Sequence, residues 1–265
     1  MKLSLNQLKK SSEWLILEAM SSIITLTCLV SLLVFPTLIL CFVYPLSKKW
    51  SLFWSNFITT YCDRVFFSIL KLYKKFNLIE DDNLKNELPG QFLVVSNHQS
   101  LLDICVHLHF FGGLRTRFVA KDSLAKVPMV GKMLKSQGHC LIPRKGVLSM
   151  KALDSFADRV KASSNWIPVI FPEGTRSRDG SLGKFYSAGF RRLEEQLNLP
   201  VVVCALDGGW RISQIDTIFR NLHRGSYQVK ILKVFEAPKN KEEEMSILEE
   251  SRTLIENQLQ EWRKD

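Results

Sequence analysis

Hydrophobic positions are concentrated near the start of this chain. Residues 19–46 contain no charged residue, and most of them are Leu, Ile, Val or Phe. A helix needs roughly 20 such residues to cross a bilayer, so the run is long enough to do so. It is too long for the apolar part of a secretory signal, and no small-x-small cleavage site closes it. A domain of this size rarely buries so long a helix. We therefore expect residues 19–46 to insert into a membrane.

Charged residues on both sides of this run bear on its topology. Lysine pairs lie at residues 9–10 and 48–49, and a single span would carry one pair across the membrane, against the positive-inside tendency. Pro36 and Pro45 allow the segment to bend, dip into one leaflet and return. Residues 50–73 mix aromatic, aliphatic and charged residues, as helices in the membrane interface do. We expect a helical pair anchored on the cytoplasmic face, with a single spanning helix as the alternative.

Beyond residue 76 the pattern changes to short apolar runs that alternate with segments of helical period. Residues 78–90 are polar and acidic and end in Pro-Gly, which predicts a linker or surface turn. The predicted strands are residues 92–96, 117–120, 166–171, 200–206 and a late strand at 227–235 that could form an edge. The predicted helices are residues 101–111, 188–196 and 241–263, the last with Met245, Leu248, Leu254, Ile255, Leu259 and Trp262 towards the domain.

Strands that alternate with helices of about ten residues are typical of an α/β fold. We predict a mixed, mostly parallel central sheet with helices on both faces, together with an N-terminal membrane-embedded helical anchor. The chain then divides into a membrane-anchoring helical segment at residues 1–75 and an α/β domain at residues 76–265.

Charge and cysteine content narrow the classes of function. The formal net charge is +10, which favours nucleic acid, anionic lipid or a phosphorylated substrate as partner. Apart from this charge, nothing in the residue pattern supports nucleic-acid binding. The six cysteines show no CxxC pair and no regular spacing. They predict neither a disulfide framework nor a zinc site and fit a reducing compartment.

The first candidate for chemistry follows the predicted strand at residues 92–96. His98 and Asp103 stand just past its end, where α/β enzymes keep reactive groups. Within one helix they would point about 140° apart, but they can meet if a helix starts after His98 with Ser100 as N-cap. Asp103 could then accept a hydrogen bond from one imidazole nitrogen, leaving the other to take a proton from a hydroxyl. A helix start with an incidental surface histidine is the alternative.

A second block occupies residues 171–178, directly after another predicted strand. Gly174 permits a tight turn, Thr175 supplies a hydroxyl, and Arg176 offers a planar set of donors that fits a phosphate or carboxylate. Between the two blocks, Arg144 ends a segment that begins at Lys121 and could hold the same phosphate from another side. The alternative for Arg176 is an ordinary arginine in a solvated turn, and without context Arg144 is better explained as a surface arginine on a loop.

Together these blocks resemble the glycerophospholipid acyltransferase family, most closely its 1-acylglycerol-3-phosphate acyltransferases, over residues 92–206. The first family motif is matched by Asn97, His98 and Asp103, and the third by residues 172–177, Pro-Glu-Gly-Thr-Arg-Ser. The second motif is matched by Lys121, Pro128, Gly131, Gly138, Ile142 and Arg144. The fourth departs from the family, because Cys204 stands where a second proline is frequent. That departure weakens inferences about the acyl-chain region only.

The resemblance implies roles for particular residues. His98 would be the general base and Asp103 would orient it, while a lysophospholipid hydroxyl attacks the thioester of acyl-CoA or acyl-carrier protein. Arg144 and Arg176 would hold the acceptor's phosphate, and Glu173 would help to position its glycerol part. Gly174 and Thr175 complete the expected substrate-binding residues, in the motif-three block. The family chemistry needs no metal or cofactor. Membrane lipids are the remaining expected partners, with the active site on the cytoplasmic face.

Three other functions remain to be distinguished. An acyltransferase acting on another lysophospholipid would share every motif. A non-catalytic protein that binds anionic lipid would explain the charge and the anchor, but gives no reason for His98 and Asp103 together. A hydrolase with a covalent acyl-enzyme would need a nucleophile near His98, for which Ser100 and Cys105 are the candidates. The sequence has no Gly-x-Ser-x-Gly motif, which argues against this last class.

Overall fold

The computed structural model describes residues 5–143, 147–213, 221–223 and 225–264. The strands are β1 (Asn77–Asp81), β2 (Leu93–Ser96), β3 (Thr116–Lys121), β4 (Cys140–Ile142), β5 (Ile167–Ile170), β6 (Val201–Asp207) and β7 (Ser226–Phe235). The helices are α1 (Leu5–Val43), α2 (Lys48–Phe57), α3 (Asp63–Lys74), α4 (Leu102–Phe111), α5 (Pro128–Ser136), α6 (Val147–Ala162), α7 (Ser187–Leu197) and α8 (Lys241–Trp262). A π-helical turn, Ile58–Cys62, joins α2 to α3.

The seven strands of the described residues belong to one sheet in the order β1-β7-β6-β2-β5-β3-β4. Every pairing is parallel except that of β6 with β7, so the predicted mixed, mostly parallel sheet is confirmed. Strands β2, β5 and β6 are buried at every position, because helices cover both faces. Hydrophobic residues of α3 and α4 pack on one face, and those of α6, α7 and α8 on the other. The carboxyl ends of the three central strands consequently lie side by side.

The edge next to β7 differs from the sequence-based prediction. Strand β1 overlaps residues 78–90, where a linker or surface turn was predicted, and it pairs in parallel with β7 from Asn77↔Ser226 onward. Its residues alternate only weakly between half-buried and exposed, so its composition resembles that of a loop. As a result β7 is the second strand from the edge. On α8, Met245 is 42% exposed and does not face the domain, whereas Leu248 and Ile255 do.

The N-terminal segment folds into a helical hairpin, here defined as α1 and the α2–α3 arm that returns along it. Helix α1 is continuous through Pro36, and the chain turns at residues 44–46, so Pro45 marks the bend. Residues Glu13–Val43 are long and apolar enough to cross a membrane, judged by length and composition. Few of these side chains are buried, and large hydrophobic residues such as Phe42 and Leu38 are exposed. This surface makes the hairpin a candidate membrane anchor.

Polar side chains fasten the hairpin to the α/β domain near its tip and at its middle. The hydroxyls of Ser51 and Ser136 lie 2.5 Å apart. The Gln137 side-chain amide donates to Asn56 Oδ1 at 3.0 Å and to Thr59 Oγ1 at 2.9 Å. The π-helical turn packs so closely on the domain that any side chain at Gly113 would meet the Thr59 carbonyl. These contacts join α2 and the turn to α5 and to the loop after α4.

Three further contacts hold the hairpin, two of them to the domain and one between its own helices. His109 at the end of α4 lies 3.0 Å from the Asp63 carboxylate at the start of α3. The buried Lys74 ammonium is 3.0 Å from the Glu18 carboxylate on α1, and Glu18 also lies 3.4 Å from His223 of the domain. The hairpin is therefore fastened along its length and does not extend away from the domain.

Candidate active site

The loop that carries His98 is fixed by the residue before it. The Asn97 side-chain amide donates to the Leu206 carbonyl at 2.8 Å, and its oxygen accepts from the Leu206 N–H at 2.8 Å. These two hydrogen bonds continue the pairing of β2 with β6 beyond the end of β2, with the Asn97 side chain in place of backbone groups. Asn97 is buried. His98 is thereby held at the carboxyl edge of the sheet, where ligands bind in open α/β folds.

His98 and Asp103 meet as the sequence predicted. His98 Nδ1 and Asp103 Oδ2 are 2.5 Å apart, and the same oxygen accepts from the Gln99 N–H at 2.6 Å and the Ser100 N–H at 3.0 Å. Asp103 lies in the first turn of α4, where a negative charge is favoured by the helix dipole. The N-cap position is occupied by Leu101 instead of Ser100, so the helix begins one residue later than predicted.

The geometry sets the chemistry available to the imidazole. Asp103 carries no exposed surface, and its carboxylate accepts the Nδ1 proton of His98. Among the described residues Nε2 of His98 has no hydrogen-bond partner, and the side chain is 16% exposed. A neutral imidazole of this tautomer can accept a proton at Nε2. The ring stacks on Phe171 at 4.2 Å between centroids, which fixes its plane.

The block at residues 171–178 folds around the His98 backbone. Glu173 Oε1 accepts from the His98 N–H and Oε2 from the Gly183 N–H, each at 2.8 Å. The Ser177 N–H donates to the His98 carbonyl at 2.8 Å. Glu173 is buried, and this burial raises the pKa of its carboxyl above the usual value. Both oxygens of Glu173 thus hold the backbone at His98 and at Gly183. A contact between Glu173 and the glycerol part of the acceptor stays a prediction.

The exposed part of the block lies between these contacts. Gly174 has φ +64°, a conformation that favours glycine, and its N–H closes a turn onto the Phe171 carbonyl at 3.0 Å. Gly174, Thr175 and Arg176 are all exposed. Because the Ser177 N–H donates a hydrogen bond to the His98 carbonyl, Arg176 is held one residue from a contact with the His98 loop.

The second predicted arginine, Arg144, lies outside the described residues. Strand β4 ends at Ile142 and is parallel to β3, and through β3 and β5 to β2, so the strands that precede the two arginines end at the same edge of the sheet. Strands are spaced by about 4.8 Å, which puts the end of β4 roughly 14 Å from that of β2. Whether both guanidinium groups meet one phosphate stays a prediction.

Sequence reasoning missed three residues that support the loop from the far end of the chain. Tyr227 donates a hydrogen bond to Asp103 Oδ1. Asp207 accepts from the Gln99 side chain at 3.1 Å and from Arg263 Nη2 at 2.6 Å, which links the loop to the residue after α8. Their partners are more than 50 residues away in sequence, and no local pattern marks them.

A basic cleft opens beside these residues, at the end of β6 and the start of β7. Its volume is about 520 Å³, and Arg178, Trp210 and Arg211 are among its lining residues. Two guanidinium groups in one cleft suit a phosphate-bearing ligand.

The two alternative nucleophiles are poorly placed for covalent chemistry. Ser100 is buried, and its hydroxyl accepts from the Leu102 N–H at 3.2 Å. Burial raises the pKa of the Cys105 thiol to about 12, so the thiolate that would attack an ester is not formed near neutral pH. The geometry therefore favours His98 as a base acting on a substrate hydroxyl.

Known proteins resemble this chain in sequence and in fold. A 1-acyl-sn-glycerol-3-phosphate acyltransferase of Helicobacter pylori is 35% identical over 115 residues, covering 42% of this chain and 46% of that protein. A chloroplastic enzyme of the same name from Arabidopsis thaliana is 31% identical over 147 residues, covering 55% of this chain and 39% of that protein. This chain thus spans less than half the length of these relatives.

The crystal structure of the 1-acyl-sn-glycerophosphate (LPA) acyltransferase PlsC from Thermotoga maritima superposes with a TM-score of 0.63 at 17% identity. The alignment covers 94% of this chain and 99% of that one, so the two share a fold. Residues 75–207, half of the chain, match the family model described as Acyltransferase and include both His98 and Asp103. The chain therefore belongs to the acyltransferase family.

Proposed function

We propose that this protein transfers a fatty acyl group from a thioester to the free hydroxyl of lysophosphatidic acid, forming phosphatidic acid. The carrying observation is the hydrogen bond between His98 Nδ1 and the buried Asp103, which leaves Nε2 as the proton acceptor at the edge of the sheet. The names of the relatives from Helicobacter pylori and Arabidopsis thaliana support this acceptor. Another lysophospholipid would meet the same dyad and is the second candidate.

In the proposed reaction His98 Nε2 takes the proton of the acceptor hydroxyl as its oxygen attacks the thioester carbonyl. The C–O bond forms, and the tetrahedral intermediate then expels the donor's sulfur as the C–S bond breaks. The imidazolium, stabilised by Asp103, returns the proton to the leaving thiolate. Proton and acyl group are both accounted for, and no covalent acyl-enzyme is needed.

The phosphate of the acceptor would be held by Arg176 and Arg144. The position of Arg176 supports this assignment, because Ser177, its neighbour, is bonded to the His98 carbonyl. A phosphate held there would place the acceptor within reach of the base. Gly174 and Thr175 lie on the same exposed turn and would contact the same substrate.

The donor is acyl-CoA or acyl-carrier protein, since both present an acyl thioester. The cleft that contains Arg178 and Arg211 supports a phosphate-bearing donor of either kind. A panel of lysophospholipids assayed with labelled acyl-CoA and with acyl-carrier protein would assign both substrates. A rate with only one donor would decide between them.

We further propose that residues 1–75 anchor residues 76–265, the acyltransferase domain, to the cytoplasmic face of a membrane. The contacts of the hairpin with α4 and α5 support an anchor that lies along the domain and not one that spans alone. Its exposed apolar side chains would enter the lipid, bringing His98 to the interface where a lysophospholipid resides.

Replacement of the base tests the proposal. We expect His98→Ala to lower the turnover number by about 10² to 10⁴, because it removes the proton acceptor. Asp103→Asn should reduce turnover less severely, because the base remains while its orientation is lost. A second pair, His109 and Asp63, supplies a matched control that does not include His98 or Asp103, and His109→Ala should lose far less activity. Activity of His98→Ala above a tenth of the wild-type value would refute the proposal.

The same variant separates catalysis from lipid binding. His98→Ala should bind vesicles of anionic lipid as the unaltered protein does, because this side chain is not part of the exposed apolar surface of the hairpin. Unchanged binding together with lost turnover excludes the non-catalytic alternative.

A further inference from the structure

We infer that Tyr227 is a positioning residue of the catalytic dyad, whose hydroxyl holds the Asp103 carboxylate in the orientation that engages His98. This inference rests on the proposed function, since it concerns the same base. Tyr227 lies outside the residues 75–207 that match the family, so the match does not assign it any role.

The two carboxylate oxygens of Asp103 have separate partners. Oδ2 accepts from His98 Nδ1 and from two backbone N–H groups, those of Gln99 and Ser100. Oδ1 accepts from the Tyr227 hydroxyl. Neither Asp103 nor Tyr227 is exposed to solvent, so no bulk water can replace the phenol. With donors on both oxygens the carboxylate cannot rotate about its terminal torsion without breaking bonds on each side.

The antiparallel direction of β7 places the Tyr227 hydroxyl near Asp103. Strand β7 is antiparallel to β6, so its first residues lie at the carboxyl edge where β2 and β6 end. Tyr227 is the second residue of β7, and its ring belongs to the core cluster that also contains Phe92 and Val94 of the β2 segment. The strand therefore presents the phenol to α4 from beneath the catalytic loop.

A glycine leaves the space that the hydroxyl occupies. A side chain at Gly209 would collide with the Tyr227 hydroxyl and would lie 3.0 Å from Ser100 Cβ. The Gly209 N–H also donates to the Gln99 side chain at 3.1 Å. Gly209 thus faces the same loop that carries the dyad, and its missing side chain is a condition for the contact.

The phenol remains a donor over the working pH range. Burial, with Asp103, Asp207 and Cys105 nearby, raises the pKa of the Tyr227 hydroxyl well above its usual value. The proton therefore stays on the phenol, and Asp103 is the acceptor in this bond.

Tyr227→Phe in the full chain tests the inference, because it removes the hydroxyl and keeps the ring. We expect the turnover number to fall by about 5- to 150-fold, the range for a buried acceptor left without its donor. KM values for a long-chain acyl-CoA and for lysophosphatidic acid should stay within about twofold, because Tyr227 touches neither substrate. Tyr186→Phe, at an exposed tyrosine, is the matched control and should retain full activity.

The pH profile separates positioning from a merely structural role. Without the Tyr227 hydroxyl, no hydrogen bond at Oδ1 reduces the negative charge of Asp103, so the carboxylate attracts the imidazolium of His98 more strongly. The acid limb of kcat/KM should therefore move to higher pH in Tyr227→Phe and not in Tyr186→Phe.

Gly209→Ala provides a second route, because it keeps the hydroxyl and displaces it. We expect the same fall in turnover number in Gly209→Ala, without a change in KM. This variant therefore tests the inference even if Tyr227→Phe folds poorly. An unchanged turnover number in both variants, or an effect on KM alone, would overturn the inference. If His98→Ala is inactive at the same time, the proposed function stands; if His98→Ala is active, the proposed function itself fails.

Discussion

Arg176 is the exposed residue that we propose holds the phosphate of the acceptor. Its guanidinium can form paired hydrogen bonds to a phosphate, which an ammonium group cannot copy. We expect Arg176→Lys, and likewise Arg144→Lys, to raise KM for lysophosphatidic acid by about 10- to 150-fold and to affect the donor less. Steady-state kinetics with each substrate varied in turn measures this.

The control for the arginine variants lies on α8. Arg252 pairs with Glu256 at 2.9 Å on the helix surface, and Arg252→Lys should leave both KM values unchanged. An effect of Arg176→Lys confined to the acyl donor would assign this arginine to the donor side.

Residues of the site were predictable where their partners are close in sequence. His98 and Asp103 are five residues apart, so the rules of helix starts suffice to bring them together. Tyr227 reaches Asp103 across 124 residues, and its approach depends on the antiparallel pairing of β7 with β6. The roles of Glu173 also illustrate the limit, since no pattern shows that both of its oxygens accept backbone N–H groups.

At the scale of elements, α7 carries a buried acid whose ionisation opposes folding. Burial raises the pKa of Glu194 to about 8 from 4.5, with Glu244 adding to the effect. A raised carboxyl pKa contributes stability that is fully present below about pH 4.5 and is lost as the pH rises through about 8. Glu194→Gln should therefore lose less stability between pH 5 and pH 8 than the wild type, by on the order of 1 kcal/mol or more.

Thermal unfolding at pH 5 and pH 8 measures this difference. Glu195→Gln is the control, because Glu195 is exposed on the same helix and pairs with Arg191 at 3.2 Å. A Glu194→Gln variant with the same pH dependence as the wild type would contradict the expected ionisation of this group.

Elements were predictable where they are buried on both sides or strongly periodic. The central strands β2, β5 and β6 are continuous apolar runs, and α8 has a clear helical period, so their positions agree with the predictions within one or two residues. Strand β1 is acidic and largely exposed, and it forms because β7 offers it a partner. Its pairing is a property of the whole sheet that local composition cannot show.

At the scale of the whole molecule, the hairpin covers part of the domain surface. Deleting residues 1–73 would uncover the surface that includes Gln137, His109 and Gly113, so we expect a poorly soluble protein with low activity on vesicle-embedded substrate. Full activity of the truncated protein on such vesicles would contradict the anchoring role.

A second variant keeps the hairpin and changes only its surface. Ile16, Ile23 and Leu38 are each about 60% exposed on α1. Replacing all three with Gln should weaken sedimentation with vesicles and preserve activity on detergent-dispersed substrate. Loss of both vesicle sedimentation and activity on detergent-dispersed substrate would show that these side chains support folding.

The long reach between Asp103 and Tyr227 also has a consequence for biosynthesis. Tyr227 follows Asp103 by 124 residues. A ribosome adding about 5–20 residues per second therefore adds the tyrosine about 6–25 s after the aspartate. The hairpin is made before either, so the nascent chain can meet its membrane while Asp103 still lacks one of its donors. Under the proposed anchoring, the order of translation would deliver the protein to lipid first and complete the His98–Asp103 site afterwards.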